Sequence, residues 1–404
     1  MIQLPVININ ISGRSGNNGG DDGAVGKAML EAATRYGFFY IDHDDACDDS
    51  DGGGDYFSVE DVDWMFELSK KFFSSPREEK AQYKIGPDNV GWSGMHTELL
   101  DPEHQRIGDF KEAMNFGDFK DGKAQQPLPP SLAAFEPDLN RFSSLCNKTC
   151  ARILQLLALA LEIPQTYFAS RHGPSNGTTE SILRFLFYPS LSSPTMSNYQ
   201  HDRDVRAGAH SDYGSITLLF QRPGQHGLEI LTPEGTWASV PVWPSSSPSS
   251  SSSSKGECGN GGERDDVRAR DNRLPPILIN IGDVLSYWTD GLLKSTVHRV
   301  VFPHSERDPS TATRVAANLA QDRYSIVFFC HPVDDTELVP VPSAVVATHR
   351  QHQSVLTATK VGYGGGAGSL QPGKRALTAK EHLEQRLAAT YQFEKEGIRL
   401  TAPS

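Results

Sequence analysis

Two stretches of this 404-residue sequence decide its fold: AHSDYGSITLLFQ at residues 209–221 and NIGDVLSYWTDGLLKSTVHRV at residues 280–300. Each contains short runs rich in β-branched and aromatic residues, broken by turn residues. The same sequence pattern occurs in ILRFLFY (182–188), LEIL (228–231) and YSIVFF (324–329). Many short strands at close spacing are typical of an antiparallel sandwich or barrel, so we predict such a core from residue 182 onward.

Helices are expected on both sides of this β core. Ser58 with Asp61 forms a capping-box pattern at the start of an apolar helical stripe, and Thr378 with Glu381 forms another near the C-terminus. A longer helical stretch is predicted over residues 131–161. The β region therefore lies between two helical regions along the chain.

The β region is interrupted by an insertion at residues 245–273. It opens with a serine run and continues as a glycine and charge mixture that has no apolar period. Such a composition cannot bury enough surface to offset the entropy of ordering, and we predict a disordered insertion between strands.

Composition excludes several classes of function. The net charge of -12 disfavours nucleic acid and anionic membrane surfaces, which select clustered lysine and arginine. The N-terminus lacks the pattern of a signal peptide, and the densest apolar stretch, residues 153–161, is too short to span a membrane. The cysteines are scattered and contain no Cys-x-x-Cys pair, which favours a reducing compartment and a cytoplasmic protein: Cys47, Cys146, Cys150, Cys258 and Cys330.

The clearest chemical signal is His210-Ser211-Asp212 in a strand-like region. Residues at i and i+2 of a strand point to the same face, so an imidazole and a carboxylate are expected to converge. His298 lies in the strand-like run TVHRVV (296–301). Two histidines and one carboxylate form the facial triad that holds Fe(II) while leaving coordination positions open for oxygen chemistry.

A second pattern lies on the last predicted strand. Arg323 and Ser325 are also separated by two positions, which places a guanidinium and a hydroxyl on one face. Arginine is suited to bidentate recognition of a carboxylate, so a dicarboxylate co-substrate is expected there. Tyr188, at the end of another strand-like run, can donate a further hydrogen bond.

These motifs together resemble the isopenicillin N synthase-like, plant-type family of Fe(II)/2-oxoglutarate-dependent dioxygenases. The resemblance rests on the order of HxD, NIGD, HRV and RxS. It extends to the N-terminal pieces LPVININ, YGFFYIDHD, FFSSPREEK and DFKEAMNFG. It covers nearly the whole chain apart from the insertion and about 15 extra residues between His298 and Arg323.

The resemblance implies a double-stranded β-helix, a jelly-roll core with flanking helices and an N-terminal α/β extension. It divides the chain into an N-terminal region (1–130), a helical connector (131–180), the core (181–335) and a C-terminal helical region (336–404). It also implies that His210, Asp212 and His298 ligate iron and that Arg323 and Ser325 bind the distal carboxylate of 2-oxoglutarate. Tyr188 matches a position that in some members also touches this co-substrate.

The implied reaction consumes O₂ and 2-oxoglutarate, releases succinate and carbon dioxide, and oxidises a C–H bond of a small organic substrate. Hydroxylation, desaturation and cyclisation are the possible outcomes, and a natural-product-like substrate from secondary metabolism is a family-level expectation. No nucleic acid or membrane partner is expected, and the sequence leaves the oligomeric state open. Most apolar residues of the strands should be barrel core, with Leu183, Phe185, Phe220 and Phe328 as candidates for pocket walls.

Two alternatives remain open. In an oxidase resembling isopenicillin N synthase itself, Arg323 and Ser325 would grip a substrate carboxylate and no 2-oxoglutarate would be needed. In the other, the barrel would be catalytically inactive and serve as a binding protein. A second His-x-Asp sequence, His43 to Asp45, lies in an acidic, glycine-bordered region without the downstream motifs and is expected to be a solvated loop.

Overall fold

A computed structural model describes residues 1–9, 22–42, 57–200, 203–244, 273–302, 321–353 and 375–390. Apart from Arg273, the predicted insertion lies outside the described residues, and so does the His43 to Asp45 sequence. The proposed division of the chain into four regions stays a prediction.

Fourteen strands within the described residues form a large eight-stranded sheet, a small four-stranded sheet and one hairpin. They are β1 (Val6–Asn8), β2 (Phe38–Asp42), β3 (Gly91–Ser93), β4 (Glu112–Phe116), β5 (Phe119–Lys120), β6 (Lys123–Ala124), β7 (Ile182–Tyr188), β8 (Ala207–His210), β9 (Ile216–Gln221), β10 (Leu228–Leu231), β11 (Trp237–Ser239), β12 (Ile277–Ile281), β13 (His298–Val300) and β14 (Arg323–Cys330). The large sheet has the order β1-β2-β12-β9-β14-β7-β4-β3, and the small sheet has the order β11-β10-β13-β8. The N-terminal strands thus join the same sheet as the core strands.

The α-helices are α1 (Asp22–Arg35), α2 (Val59–Phe73), α3 (Arg77–Lys80), α4 (Pro130–Ala133), α5 (Glu136–Ala160), α6 (Thr166–Ala169), α7 (Asp283–Trp288), α8 (Ala344–Gln353) and α9 (Ala379–Thr390). The long helix predicted at 131–161 is divided into α4 and α5. Both capping boxes are present, since Ser58 and Asp61 exchange hydrogen bonds at the start of α2, and Thr378 and Glu381 do so at the start of α9.

One face of the large sheet packs against α2 and α5. Phe220 of β9 contacts Phe57 and Phe142, with ring centroids 4.9 and 5.1 Å apart. Leu183, Phe185 and Phe328 belong to the same buried cluster. The suggestion that these strand residues form pocket walls is therefore wrong, because alternation along each strand turns them toward the helices.

The opposite face of the large sheet meets the small sheet. Leu186, Leu278 and Val327 from the large sheet share a buried cluster with Ile230 and Val300 from the small sheet. Two facing antiparallel sheets with helices on the outside form the predicted jelly-roll core. The residues that carry the chemistry lie between these two sheets.

One sequence run that resembles a strand forms a strand only in its first half. ILINIGDVLSYW at 277–288 forms β12, but the chain turns at Gly282 and continues as α7. An α-helix can begin here because Gly282 adopts an extended N-cap conformation and Asp283 places an acidic side chain in the first turn. Continuous apolar runs do not distinguish a buried strand from a buried helix.

Among the described residues, no helix combines the length and the apolar character that crossing a bilayer requires.

Candidate active site

The three predicted metal ligands converge between the two sheets. Nε2 of His210 lies 3.7 Å from Oδ1 of Asp212, and Nε2 of His298 lies 3.6 Å from the same oxygen. One ligand atom from each residue lies within 4.8 Å of the others, and the two imidazole centroids are 4.3 Å apart. Within the described part of the chain, this is the one group of three or more such side chains with that spacing.

Strand pairing produces this convergence. β8 and β13 are antiparallel neighbours in which His210 lies directly opposite His298. Asp212 lies two residues beyond His210, just past the end of β8, and its side chain still turns toward the two imidazoles. The i, i+2 argument therefore gave the correct convergence, although the strand ends two residues earlier than it assumed.

Each histidine is oriented by its own local backbone. Nδ1 of His210 lies 2.7 Å from the Gly208 carbonyl oxygen, and Nδ1 of His298 lies 3.1 Å from the Thr296 carbonyl oxygen. A carbonyl can only accept, so Nδ1 carries the proton and Nε2 keeps its lone pair. Burial, reinforced by His298, lowers the pKa of His210 to about 3, which keeps this imidazole neutral and able to ligate.

Hydrogen bonds to one oxygen of the Asp212 carboxylate fix its orientation. Its Oδ2 accepts hydrogen bonds from Thr217 Oγ1 at 2.7 Å and from Asn280 Nδ2 at 2.8 Å, which leaves Oδ1 facing the imidazoles. Burial acts to raise the pKa of Asp212, but the two histidines and these two hydrogen bonds bring it below its usual value. The site thus offers two imidazole nitrogens and one anionic oxygen, a donor set that fits a divalent transition metal.

The NIGD segment holds the ligand loop through several contacts that sequence reasoning did not identify. Beyond the bond from Asn280, the backbone N–H of Asp283 donates to the Asp212 carbonyl at 2.7 Å. The Asp283 carboxylate accepts from Ser211 and Ser295 at 3.2 and 2.6 Å. A Cβ at Gly282 would lie 2.2 Å from the Gly214 carbonyl oxygen, so only glycine allows this approach.

Arg323 and Ser325 line the same cavity from the facing large sheet, on β14. They are 2% and 1% exposed and share a side of β14, as predicted. Nε of Arg323 donates to the Gln225 carbonyl oxygen at 3.1 Å, and its guanidinium stacks 4.8 Å above the Tyr188 ring. Nη1 of Arg323 and Oγ of Ser325 are buried and have no hydrogen-bond partner within the described residues.

Unpaired buried donors of this kind are expensive unless a ligand satisfies them. Nη1 and the Ser325 hydroxyl together match a carboxylate, which accepts from both an arginine and a hydroxyl. The donors therefore fit the distal carboxylate of a 2-oxo dicarboxylic acid.

A cavity of about 120 Å³ contains both ends of this arrangement. Its wall includes Lys111, a residue to which the sequence gave no role. Lys111 Nζ lies 2.5 Å from Asp109 Oδ2 and 3.0 Å from Glu98 Oε2. Burial acts to lower the pKa of Lys111, but these carboxylates raise it above its usual value, so the ammonium is retained. Other lining residues are Ile182, Arg184, Tyr213, Phe329, His331, Leu383 and Leu387.

Two family models match the chain. Residues 4–133 match the non-haem dioxygenase in morphine synthesis N-terminal family, and residues 250–332 match the 2OG-Fe(II) oxygenase superfamily. Together these ranges cover more than half of the chain. The chain belongs to the 2OG-Fe(II) oxygenase superfamily. This oxygenase is a 2-oxoglutarate-dependent dioxygenase, with Fe(II) as cofactor and 2-oxoglutarate and O₂ as co-substrates.

Curated relatives span most of the oxygenase. A UPF0676 protein from Schizosaccharomyces pombe is 33% identical over 80% of this chain and 82% of its own length. Homoarginine-6-hydroxylase from Glycine max is 26% identical over 78% of this chain and 80% of its own length.

Among solved structures, a full-length Neurospora crassa protein in complex with alpha-KG and thymine matches with a TM-score of 0.63. The two chains are 23% identical, and the match covers 96% of each. A dioxygenase for auxin oxidation from Arabidopsis thaliana, in a binary complex with 2-oxoglutarate, has a TM-score of 0.55, with 18% identity over 83% of this chain and 96% of that one. These likenesses support the fold of the oxygenase.

The matched range of the superfamily model begins beyond His210 and Asp212. The assignment of these two residues therefore rests on the geometry described above, and the role of His210, Asp212 and His298 as ligands stays a prediction.

Loss of the Asn280 side chain is expected to weaken iron binding. In Asn280→Ala, Asp212 Oδ2 loses one of its two donors, which frees the carboxylate to rotate away from the imidazoles. Fe(II) affinity should fall roughly 10–100-fold, as for other partners that orient a metal ligand. Anaerobic competition with a metal chelator measures it. Asn147→Ala, which removes an amide bonded to Ser143 on α5, should leave the affinity unchanged.

Proposed function

We propose that this oxygenase oxidises a C–H bond of a small organic molecule, using Fe(II) held by His210, Asp212 and His298. The observation that carries this proposal is the convergence of the three ligand atoms in a cavity that also contains Arg323 and Ser325. An open-sided metal site and a carboxylate receptor in one cavity match the two ends of 2-oxoglutarate.

Arg323, Ser325 and Tyr188 are proposed to hold the distal carboxylate of 2-oxoglutarate. The Arg323 guanidinium is fixed by Gln225 and by the Tyr188 ring, so it is already oriented before the co-substrate enters. A preoriented guanidinium loses little conformational entropy on binding. A 2-oxo acid that carries a second carboxylate can engage both the metal site and Arg323, because one cavity contains them.

When bound, Fe(II) supplies the reduction of O₂ that couples oxidative decarboxylation of 2-oxoglutarate to oxidation of the substrate. The chain contributes the surroundings of this chemistry. His210 and His298 keep Nε2 unprotonated through their Nδ1 hydrogen bonds, and Asn280 and Thr217 hold the carboxylate of Asp212. The apolar walls between the sheets keep water away from the reacting centre.

The substrate is proposed to lie beside the ligand triad, against the walls formed by the large sheet and α9. Leu383 and Leu387 of α9 line the cavity together with Arg184, Tyr213 and His331. This mixture of apolar and hydrogen-bonding groups suits a small polar molecule with some apolar surface. Curated relatives include a homoarginine-6-hydroxylase and a proline hydroxylase, so hydroxylation is the outcome we favour.

The proposal predicts stoichiometric succinate. Anaerobic addition of Fe(II) and 2-oxoglutarate to the full chain should produce a metal-to-ligand charge-transfer absorption band. Admission of O₂ with amino acids, nucleobases and small natural products as candidate substrates should then release one succinate for each substrate oxidised. Succinate and product are measured by mass spectrometry in the same samples.

The same assay tests the assigned roles of the residues. Product without succinate would contradict the proposal that Arg323 and Ser325 hold 2-oxoglutarate. Failure to bind Fe(II) under anaerobic conditions would contradict the proposal that His210, Asp212 and His298 hold the metal.

A further inference from the structure

Arg206, which directly precedes β8, is a buried cation without a matching anion. It is 1% exposed and is one of the largest fully buried side chains in the described structure. Its Nη1 donates to the His226 carbonyl oxygen at 3.4 Å, and its guanidinium lies 4.6 Å from the centroid of the Phe302 ring. Nε and Nη2 have no hydrogen-bond partner among the described residues. A buried charge in this state needs a compensating group.

The hydrogen bonds of Arg206 and Arg323 lead to the same short segment of chain. The two guanidinium groups donate to consecutive carbonyls, Arg323 to Gln225 and Arg206 to His226. Arg323 has one unpartnered nitrogen among the described residues, and Arg206 has two. The two buried cations are close enough for Arg323 to repel Arg206.

No carboxylate of the described residues pairs with either guanidinium. Asp322 attracts Arg206 electrostatically but is not its partner. Asp322 is exposed, and its Oδ1 accepts from the Ser190 backbone N–H at 2.8 Å. Burial first, and repulsion from Arg323 second, lower the pKa of Arg206 to about 9. An anion bound to Arg323 would attract both cations and so offset the repulsion between them.

We propose that Arg206 is a positioning residue for the distal carboxylate of the co-substrate, and that its charge makes the cavity selective for dicarboxylic over monocarboxylic 2-oxo acids. Arg206 is not among the described residues that line the cavity, whereas Arg323 is. Arg206 therefore acts through its field and through the placement of Arg323. This inference rests on the proposed function, because it assumes that the dicarboxylate bound there is 2-oxoglutarate.

The test is an anaerobic binding titration of the full chain loaded with Fe(II). Two probes share the 2-oxo acid end: 2-oxoglutarate, which has the distal carboxylate, and 2-oxobutyrate, which lacks it. In Arg206→Met, which keeps most of the volume and removes the charge, the Kd for 2-oxoglutarate should rise about tenfold, because loss of a buried cation near Arg323 weakens the attraction of the site for the distal carboxylate. The Kd for 2-oxobutyrate should change less than about twofold, because that acid has no distal charge.

Three further variants make the result interpretable. Arg206→Lys keeps the charge and should restore most of the selectivity. Arg206→Gln should repeat the selective loss, and it replaces Arg206→Met if that variant does not fold. Arg203→Met removes an exposed arginine three positions away and should bind both acids as the wild type does.

An Arg206→Met or Arg206→Gln protein that binds 2-oxoglutarate with wild-type affinity would overturn the inference. Equal weakening toward both acids would also overturn it, because that result indicates a merely structural role. If the wild-type chain itself binds no 2-oxoglutarate, the proposed function fails, which is a different outcome from either of these.

Discussion

The Asp212→Ala variant is expected to bind no Fe(II) in the micromolar range and to show no substrate oxidation. Asp212 is the one anionic member of the proposed ligand set, and its Oδ1 faces both imidazoles at 3.6 and 3.7 Å. Two neutral nitrogens alone hold a divalent metal poorly in a buried cavity. The loss should far exceed the roughly 10–100-fold cost of removing a group that only orients a ligand, such as Asn280. Anaerobic equilibrium dialysis followed by metal analysis measures it.

The chain contains a matched control for this substitution. Asp45 is the acid of the second His-x-Asp sequence, and Asp45→Ala should leave iron binding and turnover at wild-type values. Thermal unfolding without metal shows whether Asp212→Ala is folded. Its carboxylate also receives two hydrogen bonds that alanine cannot accept, so a small loss in the free energy of unfolding is expected. A folded Asp212→Ala protein with full activity would refute the ligand assignment.

The predictable part of the site follows from strand periodicity. Arg323 and Ser325 share one face of β14 because side chains alternate along a strand, and that face is the interior of the jelly roll. The same rule predicted that His210 and Asp212 face a common point, and their side chains do so although β8 ends at His210. Local geometry of this kind can be predicted from sequence because it depends on only two or three backbone positions.

The sequence did not predict in the same way which side of a whole strand meets the helices. β7 and β14 are buried on both sides, so their apolar runs carry no alternation that indicates which side meets the helices. Phe185 and Phe328 could therefore be placed only after α2 and α5 were seen to cover one face. The half-strand, half-helix character of residues 277–288 was hidden for the same reason.

The supporting residues were missed for a different reason, although one signal for them was available. Asn280 and Asp283 both belong to the NIGD motif, and they contact the ligand loop across a distance of about 70 residues along the chain. A motif whose own side chains perform no chemistry can still be needed because it holds a second motif in place. Arg206 carried no signal at all, since a single arginine in a sequence does not reveal that it is buried without an anion.

Arg323→Met is expected to raise the Kd for 2-oxoglutarate about 100-fold or more, as for truncation of one partner of a buried charge pair. The guanidinium is 2% exposed, so no solvent can replace its contact with the carboxylate. Fe(II) affinity measured without co-substrate should stay close to the wild-type value, because Arg323 lies on β14 and the imidazole ligands lie on β8 and β13. Anaerobic titrations of metal and co-substrate measure the two quantities separately.

The control for this variant lies on the same strand. Tyr324 points to the other side of β14, where its ring packs 5.1 Å from that of Phe187, and Tyr324→Phe should bind 2-oxoglutarate normally. An Arg323→Met protein that keeps tight 2-oxoglutarate binding but no longer oxidises its substrate would contradict the prediction. In that event Arg323 would bind the substrate, and the distal carboxylate of 2-oxoglutarate would be held elsewhere. The affinity of the Arg323→Met variant for 2-oxoglutarate therefore decides which molecule the buried guanidinium recognises.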